Sequence, residues 1–195
     1  PRPDLQALGQ TDSWDGVRAV VAGFGVSGFA AADNLNHLGA SVTALDESAT
    51  GKEEKAELLE VLGATIRLGQ GATAVLPDDV DVLVTSPGWR PDAPLLAQAR
   101  ERGVPVWGEV ELAWRLRHPE HAAPWLAVTG TNGKTTTSRM ISHIFKGMGR
   151  KVGMTSTDGV VIDERLVIRA DASGPRSARM VLQNPRVDTA VFEVA

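Results

Sequence analysis

Ala127-Val128-Thr129-Gly130-Thr131-Asn132-Gly133-Lys134-Thr135-Thr136-Thr137 decides how this chain is read. It has the form of a buried strand, a glycine-bracketed turn, and a helix with a lysine and a threonine at its mouth. Such a turn cradles a polyphosphate, because backbone N–H groups and the positive end of the helix both face the anion. Lys134 is spaced to reach β/γ-phosphates, and the Thr135 hydroxyl to ligate Mg²⁺. The generic G-x-x-x-x-G-K-[ST] pattern places its first glycine where this chain has Val128. Here the first glycine is Gly130, so the loop is shorter and Asn132 helps shape it. The competing reading is an ordinary glycine-rich strand–helix turn.

Upstream, Arg18–Ala22 is a short apolar strand running into Gly23-Phe24-Gly25-Val26-Ser27-Gly28 and a helical pattern. Ser41–Leu45 is the next strand, closed by Asp46. This is a G-x-G-x-x-G sequence inside a βαβ unit, a right-handed crossover in a parallel sheet. Gly23 permits the tight turn, Gly25 lets backbone approach a phosphate, and Gly28 lets the helix pack on the sheet. Three readings stand: a dinucleotide site, the pyrophosphate of another nucleotide, or close packing alone. Asp46, about 20 residues on, is placed for ribose hydroxyls, or is simply a helix cap.

The alternation continues with a helix over 52–62, in which Leu58, Leu59 and Leu62 are spaced to face a core. Strands are expected at 64–68, 81–85 and 104–106, with a helix over 92–102. Ser86-Pro87-Gly88 is a rigid turn at the carboxyl end of the 81–85 strand, the edge where parallel sheets bind ligands. It is either a site element or a plain connection. Glu109 and Glu111 sit in the first turn of a helix and read as dipole-compensating residues rather than ligand contacts.

Residues 1–16 are expected to be a mobile lead-in with Trp14 tucked against the first strand. Residues 17–117 form a Rossmann-like domain, 118–124 a linker with solvated histidines, and 125–195 a second, incomplete P-loop-type α/β domain. In the second domain a helix over 136–148 is expected to bury Met140, Ile141, Ile144, Phe145 and Met148. A strand over 151–154, a polar run over 155–159, a hairpin around Asp163-Glu164 and a helix through Leu182 follow. Glu193 lies in the final apolar strand, where a carboxylate needs a partner. It is either a Mg²⁺ ligand beside Thr135 or an edge glutamate facing water. A phosphate-loop domain needs more strands than remain, so the chain is expected to be the front part of something longer.

The 195 residues carry a formal charge of -4 and no cysteine. The charge argues against a general nucleic-acid surface, and the absence of thiols excludes a disulfide framework or a thiolate zinc site. No apolar run approaches the roughly 20 residues that span a bilayer. A cytoplasmic, non-membrane, monomeric protein is expected.

The two loops together resemble the Mur ligase superfamily, whose members join a carboxylate to an amine using ATP. Val20–Gly28, Ser86-Pro87-Gly88 and Gly108–Leu112 make residues 15–125 similar to the UDP-N-acetylmuramoylalanine–D-glutamate ligase family. Gly153–Gly159, Gly174–Leu182 and Val191–Ala195 make residues 126–195 look closer to the cyanophycin synthetases. The first resemblance implies a UDP-substrate site at Gly23, Gly25, Val26, Ser27, Gly28, Asp46, Ser86, Pro87 and Gly88. It also implies an ATP loop at Gly130, Thr131, Asn132, Gly133, Lys134, Thr135 and Thr136. Lys134 and Glu193 would be catalytic, and Thr135 and Glu193 would hold Mg²⁺.

The implied activity is an ATP-dependent amide ligation through an acyl phosphate, adding D-glutamate to UDP-N-acetylmuramoyl-L-alanine in peptidoglycan synthesis. A UDP-sugar-peptide and an amino acid would be its partners. A cyanophycin-type amino-acid ligase and a nucleotide-binding domain without turnover are the alternatives. Superfamily members also use a later lysine, histidine and C-terminal domain, so this chain alone is expected to bind nucleotide with little or no ligation.

Overall fold

The computed structural model describes residues 4–86, 88–118, 120 and 132–193. The chain divides into two compact units, Pro1–Ala123 and Pro124–Ala195.

The first unit alternates strand and helix as β1 (Arg18–Ala22), α1 (Val26–His37), β2 (Ser41–Asp46), α2 (Glu53–Val61), β3 (Thr65–Leu68), β4 (Val82–Thr85), α3 (Pro94–Glu101), β5 (Val106–Gly108) and α4 (Glu109–Arg115). All five strands are parallel, in the order β3-β2-β1-β4-β5. β1 and β4 are near-continuous apolar runs because both of their faces are covered. One face packs Trp14, Leu35, Leu59 and Trp107 into the larger core, and the other packs Leu45, Leu76, Leu83 and Leu95. Each fully buried leucine contributes about 1.5–3 kcal/mol relative to exposure.

Asp81 locks the start of the two central strands. Its carboxylate is 1% exposed and accepts from the Arg18 backbone N–H (2.9 Å), Nε (3.0 Å) and Nη2 (3.0 Å). Its own N–H donates to the Arg18 carbonyl.

Three details differ from the sequence expectation. Residues 4–16 are not a loose lead-in: Trp14 is buried against the first strand as expected, but Leu5 joins the core too, and the Trp14 indole donates to the Gly9 carbonyl at 3.0 Å. On α2 only Ala56 and Leu59 are buried, while Leu58 and Leu62 are about half exposed. Pro105 precedes β5 rather than lying inside it, since proline gives no N–H to the ladder.

The second unit contains α5 (Lys134–Gly147), β6 (Val152–Ser156), β7 (Gly159–Ile162), β8 (Arg165–Ile168), α6 (Pro175–Leu182) and β9 (Thr189–Phe192). Its sheet has the order β8-β7-β6-β9, antiparallel through the hairpins and parallel between β6 and β9. The hairpin turn carries both Asp163 (φ 46) and Glu164 (φ 69) in the left-handed region, as a two-residue type I′ connection requires.

The expected polar run is partly strand: Thr155 and Ser156 belong to β6 and are buried. The expected core stripe of α5 is also rotated. Ile141 and Phe145 pack on the sheet beside buried Ser138 and Ser142, whereas Met140, Ile144 and Met148 are exposed. The expected strand over 125–129, with Gly130, Thr131 and Pro87, lies outside the described residues. No helix among the described residues is long and apolar enough to cross a membrane.

Candidate functional sites

In the first unit, connections from β1 lead to β2 on one side, and β4 lies on the other. The strand order therefore reverses between β1 and β4, and sheets of this kind bind ligands in the crevice outside the carboxyl ends of such strands. The glycine loop leaves β1 there, and its three glycines have separate jobs. Gly23 has φ +92, and a Cβ on it would lie 2.0 Å from Ser86 Oγ. A Cβ on Gly28 would lie 1.7 Å from the Gly23 carbonyl oxygen, so Gly28 is what lets α1 start against the loop. A Cβ on Gly25 would meet no protein atom within 4 Å. Gly25 is exposed, caps α1 without any side-chain hydrogen bond, and leaves the first helical N–H groups facing outward.

Asp46 ends β2 beside this loop and is largely occupied. Oδ2 accepts from the Phe24 N–H at 2.6 Å, while Oδ1 accepts from the Ser48 N–H at 2.8 Å and pairs with Lys52 Nζ at 2.6 Å. Partial burial pushes its pKa up, but the bonds from Lys52, Phe24 and Ser48 outweigh it and hold the carboxyl below its ordinary value. Asp46 thus braces the glycine loop, and it brings the cation of Lys52 to the same edge. Sequence reasoning passed over Lys52, although a lysine at a helix N-cap is unusual enough to be a signal.

A cavity of about 470 Å³ adjoins the crevice, lined by residues including Glu47, Thr73, Gly88, Trp89, Arg90 and Pro94. Ser86 donates its N–H to the Ala22 carbonyl, tying the β4 turn to the glycine loop. Glu47, also missed from sequence, accepts from the Gly71 N–H, the Thr73 N–H and the Thr73 hydroxyl. The Thr73 hydroxyl, then the Gly71 and Thr73 amides, lower its pKa.

In the second unit, Gly133 adopts φ +83 immediately before α5, a conformation that favours glycine. Lys134 and Thr135 follow in the first turn of α5. β9 runs parallel to β6 with Phe192 opposite Thr155, and the Glu193 N–H donates to the Thr155 carbonyl. This register carries Glu193 to the mouth of α5. The Thr135 hydroxyl donates to Glu193 Oε1 at 2.9 Å, and the Thr157 N–H approaches Oε2 at 3.4 Å. Glu193 is 5% exposed, so the edge-strand reading in which it faces water does not hold. The Arg139–Asp158 ion pair (2.7 Å) fastens the β6–β7 turn to α5, a contact that sequence spacing did not suggest.

The donor set fits Mg²⁺. A hydroxyl and a buried carboxylate oxygen meet at hydrogen-bond distance, and both are hard oxygen donors of the kind that Mg²⁺ takes.

Two family profiles match the chain: "Mur ligase MurD-like, N-terminal domain" over residues 17–108 and "Mur ligase middle domain" over residues 128–195. Among curated proteins, the UDP-N-acetylmuramoylalanine–D-glutamate ligase of Streptomyces avermitilis is 52% identical over 76% of this chain and 31% of its own length. Its counterpart in Streptomyces coelicolor is 49% identical over 75% of this chain and 31% of its own length. That of Thermobifida fusca is 48% identical over 82% of this chain and 33% of its own length. The chain therefore spans about a third of these relatives. The resemblance of residues 126–195 to cyanophycin synthetase gains no support, since the profile over that segment is the Mur ligase middle domain. A MurD-like glycine-loop unit followed by a Mur ligase middle-domain segment places the chain in the Mur ligase family.

Proposed function

We propose that the protein adds D-glutamate to UDP-N-acetylmuramoyl-L-alanine, forming the amide through an acyl phosphate at the expense of ATP in cytoplasmic peptidoglycan synthesis. The observation that carries this reading is the meeting of Thr135 and Glu193 at the mouth of α5, 58 residues apart in sequence. A buried carboxylate at that place has no packing purpose, and it is costly unless a cation or donors satisfy it.

The loop 130–136 binds the ATP polyphosphate, with Gly133 giving the backbone its left-handed turn and Lys134 neutralising β/γ-phosphate charge. Thr135 and Glu193 would hold Mg²⁺, which when bound would neutralise polyphosphate charge. Transfer of the γ-phosphoryl group to the substrate carboxylate spreads charge over equatorial oxygens, and Lys134 and the helix N–H groups are placed to stabilise it. The amine of the amino acid then displaces phosphate to give the amide.

In the first unit, the outward N–H groups after Gly25 take the UDP diphosphate, with Val26, Ser27 and Gly28 forming the helix start. Asp46 braces the loop and keeps one lone pair of Oδ2 for a ribose hydroxyl. Ser86 and Gly88 form the opposite lip, and Pro87 between them is assigned to the site on sequence alone.

The test is ligand-dependent thermal stabilisation of the chain. UDP and UDP-N-acetylmuramoyl-L-alanine are expected to raise the melting temperature of the first unit, and ATP with Mg²⁺ that of the second. Stabilisation by NAD with no response to UDP overturns the substrate assignment. ATP binding indifferent to Mg²⁺ overturns the metal assignment.

A further inference from the structure

We infer that the indole N–H of Trp89 is a diphosphate donor of the first unit, a positioning residue for the nucleotide substrate. The inference rests on the nucleotide reading of the glycine loop above. Trp89 follows the β4 turn, lines the 470 Å³ cavity and is half-buried. Its ring body packs against the core formed by Val20, Leu45, Leu83 and Leu95. That packing fixes the direction of the ring's polar edge. Nε1 lies 3.3 Å from where a Cβ on Gly23 would sit, the same point that Ser86 Oγ approaches to 2.0 Å. The N–H thus emerges at the glycine loop, where the strand order reverses.

An indole nitrogen only donates, and buried or half-buried tryptophans ordinarily give that N–H a partner. Trp14 does so, on the Gly9 carbonyl. The Trp89 N–H makes no hydrogen bond among the described residues, although it stands beside a crevice rimmed with other donors. Unengaged N–H groups at the start of α1, the Lys52 cation and this indole all converge on one edge. The carboxylates at this edge, Asp46 and Glu47, are already engaged by Lys52 and by the Phe24, Ser48, Gly71 and Thr73 N–H groups, so the group that answers the remaining donors is an anion, and the nucleotide reading makes it the diphosphate. Phenylalanine in place of Trp89 keeps most of the ring packing and removes the donor.

The experiment titrates UDP and uridine into the chain and into Trp89→Phe by calorimetry, at matched ionic strength. Trp89→Phe is expected to weaken UDP by about tenfold or more, as loss of a bond to a charged acceptor does, and to leave uridine unchanged. A second measurement needs no variant. Of the five indole ¹H–¹⁵N resonances, that of Trp89, assigned through its own backbone, is expected to move downfield with UDP and not with uridine. Equal UDP affinity in Trp89→Phe, equal weakening of both ligands, or an unmoved Trp89 resonance overturns the inference while the nucleotide reading stands. Failure of the unsubstituted chain to bind UDP overturns the nucleotide reading itself.

Discussion

Gly25→Ala separates the two roles a glycine loop can have. The backbone at Gly25 is extended (φ -80, ψ -155), so alanine is accommodated without left-handed strain. The added methyl meets no protein atom within 4 Å. Fewer unfolded conformations favour the variant by about 0.4–1 kcal/mol, and alanine's poorer N-capping offsets a similar amount. Stability in urea should therefore stay within about 1 kcal/mol of the parent. Binding should not. On the proposed reading the methyl stands in the open space through which a diphosphate would reach the α1 N–H groups, and each charge-assisted bond lost is worth about 1.5–3 kcal/mol. UDP affinity should fall about tenfold to a hundredfold for one such bond. Gly28→Ala is the contrast: its Cβ would lie 1.7 Å from the Gly23 oxygen and 2.7 Å from the Gly23 carbonyl carbon. Backbone must move, so overpacking of at least about 1–3 kcal/mol appears in the unfolding curve as well. The reasoning is refuted if Gly25→Ala binds UDP like the parent, or unfolds as easily as Gly28→Ala.

Glu193→Gln retains the shape and the acceptor for Thr135 but removes a charge that is 5% exposed. Urea stability without ligand should be unchanged or higher, while the Mg²⁺-dependent part of ATP affinity falls about tenfold or more; an intact Mg²⁺ response would count against the metal role. Asp81→Ala removes three bonds from Arg18, which is 43% exposed and rehydrates. A loss of about 1–3 kcal/mol is expected, read as a lower urea midpoint at constant m-value. Asp46 is held below its ordinary value of 3.8 in the folded chain. Its contribution is therefore fully present above that value and lost as pH falls through the lower folded one. The stability gap between the parent and Asp46→Asn should be constant near neutrality and close as the solution is acidified below about pH 4. A gap that widens in acid would reverse the assigned sign.

The parts of the fold that could be read from sequence were those set by backbone chemistry at single positions. Gly23, Gly28 and Gly133 announce turns because other residues are excluded there, by a carbonyl at 1.7 Å, by Ser86, or by positive φ. Apolar periodicity was less informative, because it reveals a stripe without saying which side of the helix meets the sheet. On α5 the larger stripe, Met140–Ile144–Met148, faces outward, and the helix lies on Ile141 and Phe145 with buried Ser138 and Ser142 beside them. Small Ser138 and Ser142 permit close approach to the sheet, a packing reason that hydrophobicity alone hides. Thr155 and Ser156 misled for the related reason that a polar strand can be buried when its hydroxyls bond locally: the Asp158 N–H donates to Ser156 Oγ.

Glu193 shows where the two kinds of information join. From sequence it was a carboxylate in an apolar strand with two admissible fates, one solvated and one liganded. Choosing between them needs the neighbour of β9, which no local pattern contains. Parallel pairing with β6 supplies it: Phe192 stands opposite Thr155, so the next residue falls where β6 turns toward Thr157 and where α5 begins. A shift of one residue in that register would turn the carboxylate to the other face of the sheet and break the 2.9 Å bond to Thr135. The site is therefore specified by strand register as much as by the loop motif. A substitution that alters the β6–β9 pairing, such as alanine at Gly153, whose Cβ would lie 2.5 Å from Val181 Cγ1, should impair Mg²⁺-dependent ATP binding without touching any ligand.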